Sequence, residues 1–128
     1  MLSDMDKTTT KVIGTASNCF AVSAVETIDK PVYIESLAPA NTVAILGSLP
    51  VGTAPVFYLN PGHEIAPEMS EGKFCYIQMA DGRGFLGVVI ASSDQAERFD
   101  VSDLNGNTHM TRVSIKSVTP IISAQFAA

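Results

Sequence analysis

The sequence is poor in charge and in several informative residue types. Only 16% of its 128 residues are charged, tryptophan is absent and cysteine occurs twice. Hydrophobic residues make up 46% of the chain, and neither a heptad nor a triplet repeat is present, which excludes disordered, coiled-coil and collagen-like classes. The length suits a single hydrophobic core that needs no disulfide or metal to hold it together.

Positive charge is especially scarce. Lysine and arginine number 8 against 13 acidic residues, which gives a net charge of −5. Because neither half of the chain offers the basic face that a phosphate backbone needs, we expect no direct nucleic-acid binding. The three tyrosines and six phenylalanines are not interleaved with basic residues, as they are in the stacking surfaces that bind single strands.

Long apolar runs are also missing. No run approaches the roughly 18 residues of a membrane-spanning helix, and the first residues lack the pattern of a signal peptide. We therefore expect a cytoplasmic protein without a membrane partner. Residues 1–10 are polar and predict a flexible arm ahead of a single domain over 11–128. Cys19 and Cys75 lie in apolar surroundings and are interpreted as free thiols, with a disulfide as the alternative.

What the sequence does contain is a series of short runs rich in β-branched residues and separated by turn residues. They predict a mainly β, compact single domain of about seven to nine strands with little helix. Hairpin loops are predicted at Ala80–Gly84 and at Asn105-Gly106, and single helical turns at 66–72 and 92–98. The runs are 11–13, 19–25, 32–37, 42–46, 56–59, 74–79, 85–90, 99–102 and 112–122.

A glycine-rich stretch, Gly82 to Gly87, fits the spacing G-x-G-x-x-G of dinucleotide sites. Such a site needs a helix directly after the turn. Val88, Val89 and Ile90 follow instead, and these β-branched residues favour a strand. We therefore predict a hairpin here and no cofactor.

His63 and Glu64 are adjacent, and His109 is the only other histidine. A metal or acid/base site would need these groups to converge, whereas neighbours on an extended chain point to opposite faces. We interpret them as surface residues and predict no metal site and no catalytic triad. An enzyme of another class stays open as an alternative if the three groups share a pocket.

The segment from Gly62 to Phe74 resembles the region around the nucleophile of the LexA-like self-cleaving peptidases, which include phage repressor C-terminal domains. Gly62, Pro67 and Gly72 match the pattern's two glycines and its proline, with apolar residues at its apolar positions. Residues 73–89 are similar to the strand, turn and strand that carry the family's catalytic lysine. The resemblance implies a LexA/signal-peptidase-like β fold. Residues 43–56 are weakly similar to the segment that carries the family's scissile bond, which would place that bond at Val51-Gly52.

The resemblance also implies that catalysis is lost. Glu64 stands at the position of the nucleophilic serine, and Leu86 at that of the lysine, or Gly87 if the register slips by one. A carboxylate is a far poorer nucleophile toward an amide than an activated hydroxyl, and leucine cannot accept a proton. The chain is therefore interpreted as a pseudo-peptidase with no catalytic residues.

Two functions remain from these observations. The first is a non-catalytic regulatory or dimerisation module of phage or prophage origin, cytoplasmic in the host. The alternative is a structural phage protein, such as a capsid or tail β-barrel component, located in the virion. Both predict a homo-oligomer or a protein partner.

Overall fold

Nine strands dominate the part of the chain that the computed structural model describes, which is residues 8–16, 22–36, 41–47, 55–91 and 97–126. Helix is limited there to two 3-10 turns, Pro61–His63 and Pro67–Met69. The predicted mainly β, compact domain with little helix is confirmed. The strands are β1 (Thr8–Ala16), β2 (Ser23–Ser36), β3 (Val43–Leu46), β4 (Pro55–Leu59), β5 (Phe74–Met79), β6 (Gly84–Ala91), β7 (Phe99–Ser102), β8 (Thr108–Val113) and β9 (Ile115–Phe126).

Seven of these strands close into a ring. Their order is β2-β1-β3-β4-β9-β5-β6, and β2 pairs with β6 as well, through Ser23–Val25. The β1–β3 pair is parallel, and every other pair of strands is antiparallel. The second half of β6 pairs with β7, so β7 and β8 leave the ring as a hairpin. Closing a sheet on itself removes most of its free edges.

The inside of the ring is filled by one apolar cluster to which all seven ring strands contribute. The alternation of side chains on β4 shows how this works, because Phe57 and Leu59 point inward while Val56 and Tyr58 belong to a different cluster outside. The buried members of the inner cluster are Ala16, Val25, Ile45, Phe57, Leu59 and Leu86, with Ile13, Val43, Phe74, Tyr76 and Ile121 packed against them.

Two further clusters cover the outside of the ring. One lies on the outer face of β5, β6 and β9, where the β7–β8 hairpin packs through Val101 and Met110. The other joins the outer face of β1, β3 and β4 to the distal half of β2, through Ile28 and Ile34. The extensions of the sheet are therefore packed against the ring by apolar contacts.

Strand β9 connects the two sides of the ring. Its first half pairs with β5 and its second half with β4. The loop after β4 lies along the same strand, because Ile65 and Val118 exchange backbone hydrogen bonds of 2.8 and 3.2 Å.

The β1–β2 ladder corrects one predicted boundary. Residues 8–10, assigned to the arm from sequence, belong to β1, where they pair with residues 34–36 of β2. Farther along, the register shifts between Val12 and Gly14. A Cβ at Gly14 would lie 2.7 Å from Val25 Cγ1 and 2.8 Å from the carbonyl oxygen of Glu26, so only glycine fits.

The predicted turns are confirmed. Residues 80–83 connect β5 to β6, and Asn105-Gly106 lies in the β7–β8 turn, where Gly106 has the positive φ of 88° that favours glycine. The G-x-G-x-x-G stretch continues into β6, as its β-branched residues indicated. The predicted turn at 66–72 corresponds to Pro67–Met69, whereas most of 92–98 lies outside the described residues.

Candidate functional site

Glu64 and Leu86, the two positions that the resemblance singles out, do not share a cleft. Glu64 follows the first 3-10 turn and is exposed to solvent. Leu86 is 1% exposed inside the ring. Strands β9 and β5 lie between β6 and the loop that carries Glu64. This geometry does not favour a former nucleophile–base pair, and Val51-Gly52 lies outside the described residues.

The two histidines contact different groups. His63 Nε2 lies 3.5 Å from Asn60 Nδ2, and His109 Nε2 lies 2.8 Å from Asp103 Oδ2. Among the described residues, no group of three or more His, Cys, Asp or Glu side chains could hold a metal ion. His63 lines a cleft of about 560 Å³ between the start of β3 and the loop after β4, and none of the described residues that line this cleft is acidic.

Asp103 organises the β7–β8 turn. Its Oδ1 accepts hydrogen bonds from the backbone N–H groups of Asn105 (2.9 Å) and Asn107 (3.0 Å), and its Oδ2 faces His109. The contact with His109 and these backbone hydrogen bonds hold the pKa of the buried Asp103 carboxyl below its usual range. Both oxygens already have partners, so the group serves to fix the hairpin.

The distal part of β2 forms a free strand edge. Ser23–Val25 pair with β6, but over residues 27–36 no strand lies on the outer side of β2 among the described residues. Val32 and Tyr33 on this stretch are exposed by 38% and 57%. We call residues 27–36 the β2 edge.

A second surface feature gathers positive charge. The β5–β6 turn, the residue before β7 and the end of β8 enclose a cleft of about 270 Å³. Arg83, Arg98 and Arg112 line it, and these are all the arginines of the sequence. Asp81 is the acidic residue of the lining, and Met79 and Val113 supply apolar walls. We call this feature the arginine cleft.

Arg83 is held in place at the cleft by two contacts. Its Nε lies 2.8 Å from Asp81 Oδ2, and its guanidinium carbon lies 5.4 Å from the centre of the Phe85 ring. The backbone N–H of Arg83 also donates to Asp81 Oδ1 at 3.0 Å. That hydrogen bond, together with the ion pair, lowers the pKa of Asp81.

Backbone conformation at the cleft is unusual. Arg112 has a φ of 53°, and Glu97, directly before Arg98, has a φ of 64°. These values lie in the left-handed region, which non-glycine residues rarely adopt. The backbone N–H of Arg112 donates to Asp100 Oδ1 at 3.1 Å, which ties the end of β8 to β7.

Neither surface was predicted from the sequence. The β2 edge was not predicted because Asp29, Lys30 and Pro31 are typical of a break between two strands. The arginines are separated along the chain, and each belongs to a different segment. The only available signal was that each arginine lies close to a turn or a strand end.

Comparison with protein-family models gave no match, and comparison with curated proteins gave none either. In the described part of the chain, no helix has the length and apolar character needed to cross a bilayer.

Proposed function

We propose that this protein is a non-catalytic β module that works by protein contact, pairing with a second copy along the β2 edge. The observation that carries the proposal is the outer side of this edge, which no strand of the described residues pairs with and on which Val32 and Tyr33 are exposed. The unpaired N–H and C=O groups of such an edge offer a ready template for a strand of another chain.

The non-catalytic part of the proposal is supported by the positions of the candidate groups. Glu64 is exposed, while Leu86 is enclosed in the ring. His63 lies beside Asn60 and His109 beside Asp103, so the two histidines do not belong to one site. The carboxylate that contacts His109 is the one that fixes the β7–β8 turn.

Symmetry selects how two β2 edges meet. A two-fold axis perpendicular to the sheet pairs residues that point to the same face. An axis at Tyr33 places the two Tyr33 rings opposite each other and Val32 opposite Ile34, with no like charges paired. The axis is placed within residues 32–36, which keep a continuous register with β1, whereas residues 28–31 fall at the register shift between Val12 and Gly14. Tyr33 is the most exposed large apolar residue of this stretch. We therefore propose the register centred on Tyr33.

Both functions predicted from the sequence, the regulatory dimerisation module and the structural phage component, require such a contact. The regulatory module depends on the likeness to a peptidase scaffold, and Glu64 and Leu86 do not share the cleft that this likeness implies. We therefore propose the capsid or tail component as the setting and retain the regulatory module as the second candidate.

Light scattering after size-exclusion chromatography tests the contact. We expect the wild-type protein to form dimers or multiples of dimers, and Tyr33→Lys to prevent pairing, since it sets two positive charges opposite each other. Leu104→Lys is the matched control, because Leu104 is 61% exposed at the β7–β8 turn and should leave pairing unchanged. A monomeric wild type, or equal effects of the two variants, would refute the proposed contact.

Disulfide trapping tests the register. Directly opposed residues of an antiparallel pair have Cα atoms about 4.5–5.5 Å apart, within disulfide range, so Tyr33→Cys should crosslink two copies. In the same register two Val32 Cα atoms would be about 8 Å apart, so Val32→Cys should crosslink poorly. Wild-type protein gives the background from Cys19 and Cys75. Efficient trapping of Val32→Cys alone would rule out the Tyr33 axis.

A further inference from the structure

The arginine cleft concentrates positive charge in an acidic protein. With a net charge of −5, the chain nevertheless brings all of its arginines to one cleft, and Asp81 is the acidic residue among the described residues that line it. Arg83 pairs with Asp81 through Nε, and among the described residues the terminal guanidinium nitrogens of Arg83 have no hydrogen-bond partner. Guanidinium groups suit carboxylates and phosphates because they can donate two parallel hydrogen bonds.

The backbone around the cleft supports a binding role. The positive φ values at Arg112 and Glu97 are costly for residues that carry a side chain, and such conformations concentrate at functional sites. The hydrogen bond from Arg112 to Asp100 maintains this conformation at the end of β8.

The exposure of the cleft indicates what kind of anion it takes. The Arg83 and Asp81 side chains are 65% and 54% exposed, so the field that a free small ion would experience is screened by water and salt. A nucleic acid is disfavoured by the net negative charge of the protein. A protein surface that carries several carboxylates would instead make several contacts at once and cover the cleft.

Such a surface is present on the same chain. The loop 64–71 carries three exposed carboxylates, Glu64, Glu68 and Glu71, and between them Met69 is 68% exposed. We call it the acidic loop. It is held in shape by the bridge from Ile65 to β9 and by two 3-10 turns, so little ordering is needed when it binds.

We infer that the arginine cleft binds the acidic loop of a second copy, with Met69 against the apolar walls formed by Met79 and Val113. The cleft and the loop are different surfaces, so this contact is heterologous and joins copies head to tail. The inference deepens the proposed function: pairing at the β2 edge gives a dimer, and the cleft–loop contact connects dimers into larger assemblies.

Charge reversal tests the contact by sedimentation velocity at low ionic strength. The cleft variant carries Arg98→Glu and Arg112→Glu, and the loop variant carries Glu68→Lys and Glu71→Lys. Each variant alone would face like charges across the contact, and we expect its association beyond the dimer to weaken by about tenfold or more. When the two variants are mixed, opposite charges face each other wherever the cleft of one variant meets the loop of the other. Larger species should therefore reappear.

A third variant excludes general attraction between oppositely altered proteins. Glu26→Lys with Asp29→Lys changes the net charge as much as the loop variant does but leaves the acidic loop intact, and both positions are exposed. Its dimer content is measured first, because these residues lie near the β2 edge. The third variant keeps its own arginine cleft and acidic loop, so it should associate beyond the dimer by itself. Adding the cleft variant, whose altered cleft meets only unchanged acidic loops, should lower the mean size of these species and not raise it.

Three results would overturn the inference: no species larger than a dimer for the wild type, no recovery when the cleft and loop variants are mixed, or a rise in mean size when the cleft variant is added to the third variant. Titration with inorganic phosphate and with succinate adds a further arm. If either anion binds the wild type but not the cleft variant, and the two proteins associate beyond the dimer equally well, the cleft is a small-anion site instead. Tyr33→Lys acts only on the β2 edge, so failure of the dimer contact and failure of the cleft–loop contact are distinguishable.

Discussion

Replacement of Leu86 by alanine tests the closed ring most directly. Leu86 is 1% exposed and packs in the inner cluster to which all seven ring strands contribute. Loss of a buried leucine side chain costs about 2.7–5 kcal/mol, with the larger values where the surroundings cannot collapse into the cavity. Neighbours held in a closed sheet have little freedom to move, so we expect a loss of about 4 kcal/mol.

That loss translates into a large thermal shift. For a chain of this length, unfolding entropy of about 2.1 cal/mol/K per residue makes 4 kcal/mol equivalent to a fall in Tm of about 15 °C. Circular dichroism on heating, together with urea unfolding analysed at a constant m value, measures it. The control is Glu64→Ala, an exposed position where we expect a change within about 0.5 kcal/mol.

The outcome distinguishes two arrangements of positions 64 and 86, a shared open cleft and the separate positions described above. If both lined one open cleft, the two substitutions would have similar, mild effects. A loss of about 1 kcal/mol or less for Leu86→Ala would refute its place inside the ring. A loss for Glu64→Ala as large as that for Leu86→Ala would refute the exposed position of Glu64.

Three further substitutions or modifications test individual features. Gly14→Ala should lower the free energy of unfolding by about 1–3 kcal/mol in urea, because its Cβ would collide with β2. Asp103→Asn should destabilise the protein more at pH 6 than at pH 3: the lowered folded-state pKa of Asp103 gives stability above its unfolded pKa, and that stability is lost as the pH falls through the folded value. Equal effects at both pH values would contradict the role of the carboxylate beside His109. Burial raises the pKa of the Cys75 thiol to about 11, so in a Cys19→Ser background iodoacetamide at pH 8 should react about a hundredfold more slowly with folded than with urea-unfolded protein. Rapid alkylation of the folded protein would show that Cys75 is accessible.

The features predicted from the sequence are local ones. Asn105-Gly106 favours a turn through its backbone geometry, and the three β-branched residues after Gly87 favour a strand through their restricted side chains. The mainly β class follows from the sum of many such segments. The break between β8 and β9 at Ser114 was missed because the apolar alternation of Val113 and Ile115 continues across it.

The features that could not be predicted depend on residues far apart in the chain. Hydrophobic alternation marks a strand but does not identify its neighbour, so the pairing of Ser23–Val25 with β6 that closes the ring left no local signal. Residues 8–10 looked like an arm because threonine is polar, yet it also has high β propensity when a partner strand is present. The arginine cleft arises in the same way, since only the completed sheet brings Arg83, Arg98 and Arg112 together.

The position of β9 has a consequence for how the chain acquires its structure. This strand is synthesised after the other eight described strands, yet it lies between β4 and β5. Until it inserts, both neighbours expose unpaired backbone and the ring interior remains open to water. The closed ring therefore cannot form until β9 has been synthesised, and we expect a late, cooperative transition on the millisecond-to-second scale of proteins rich in sequence-distant pairings.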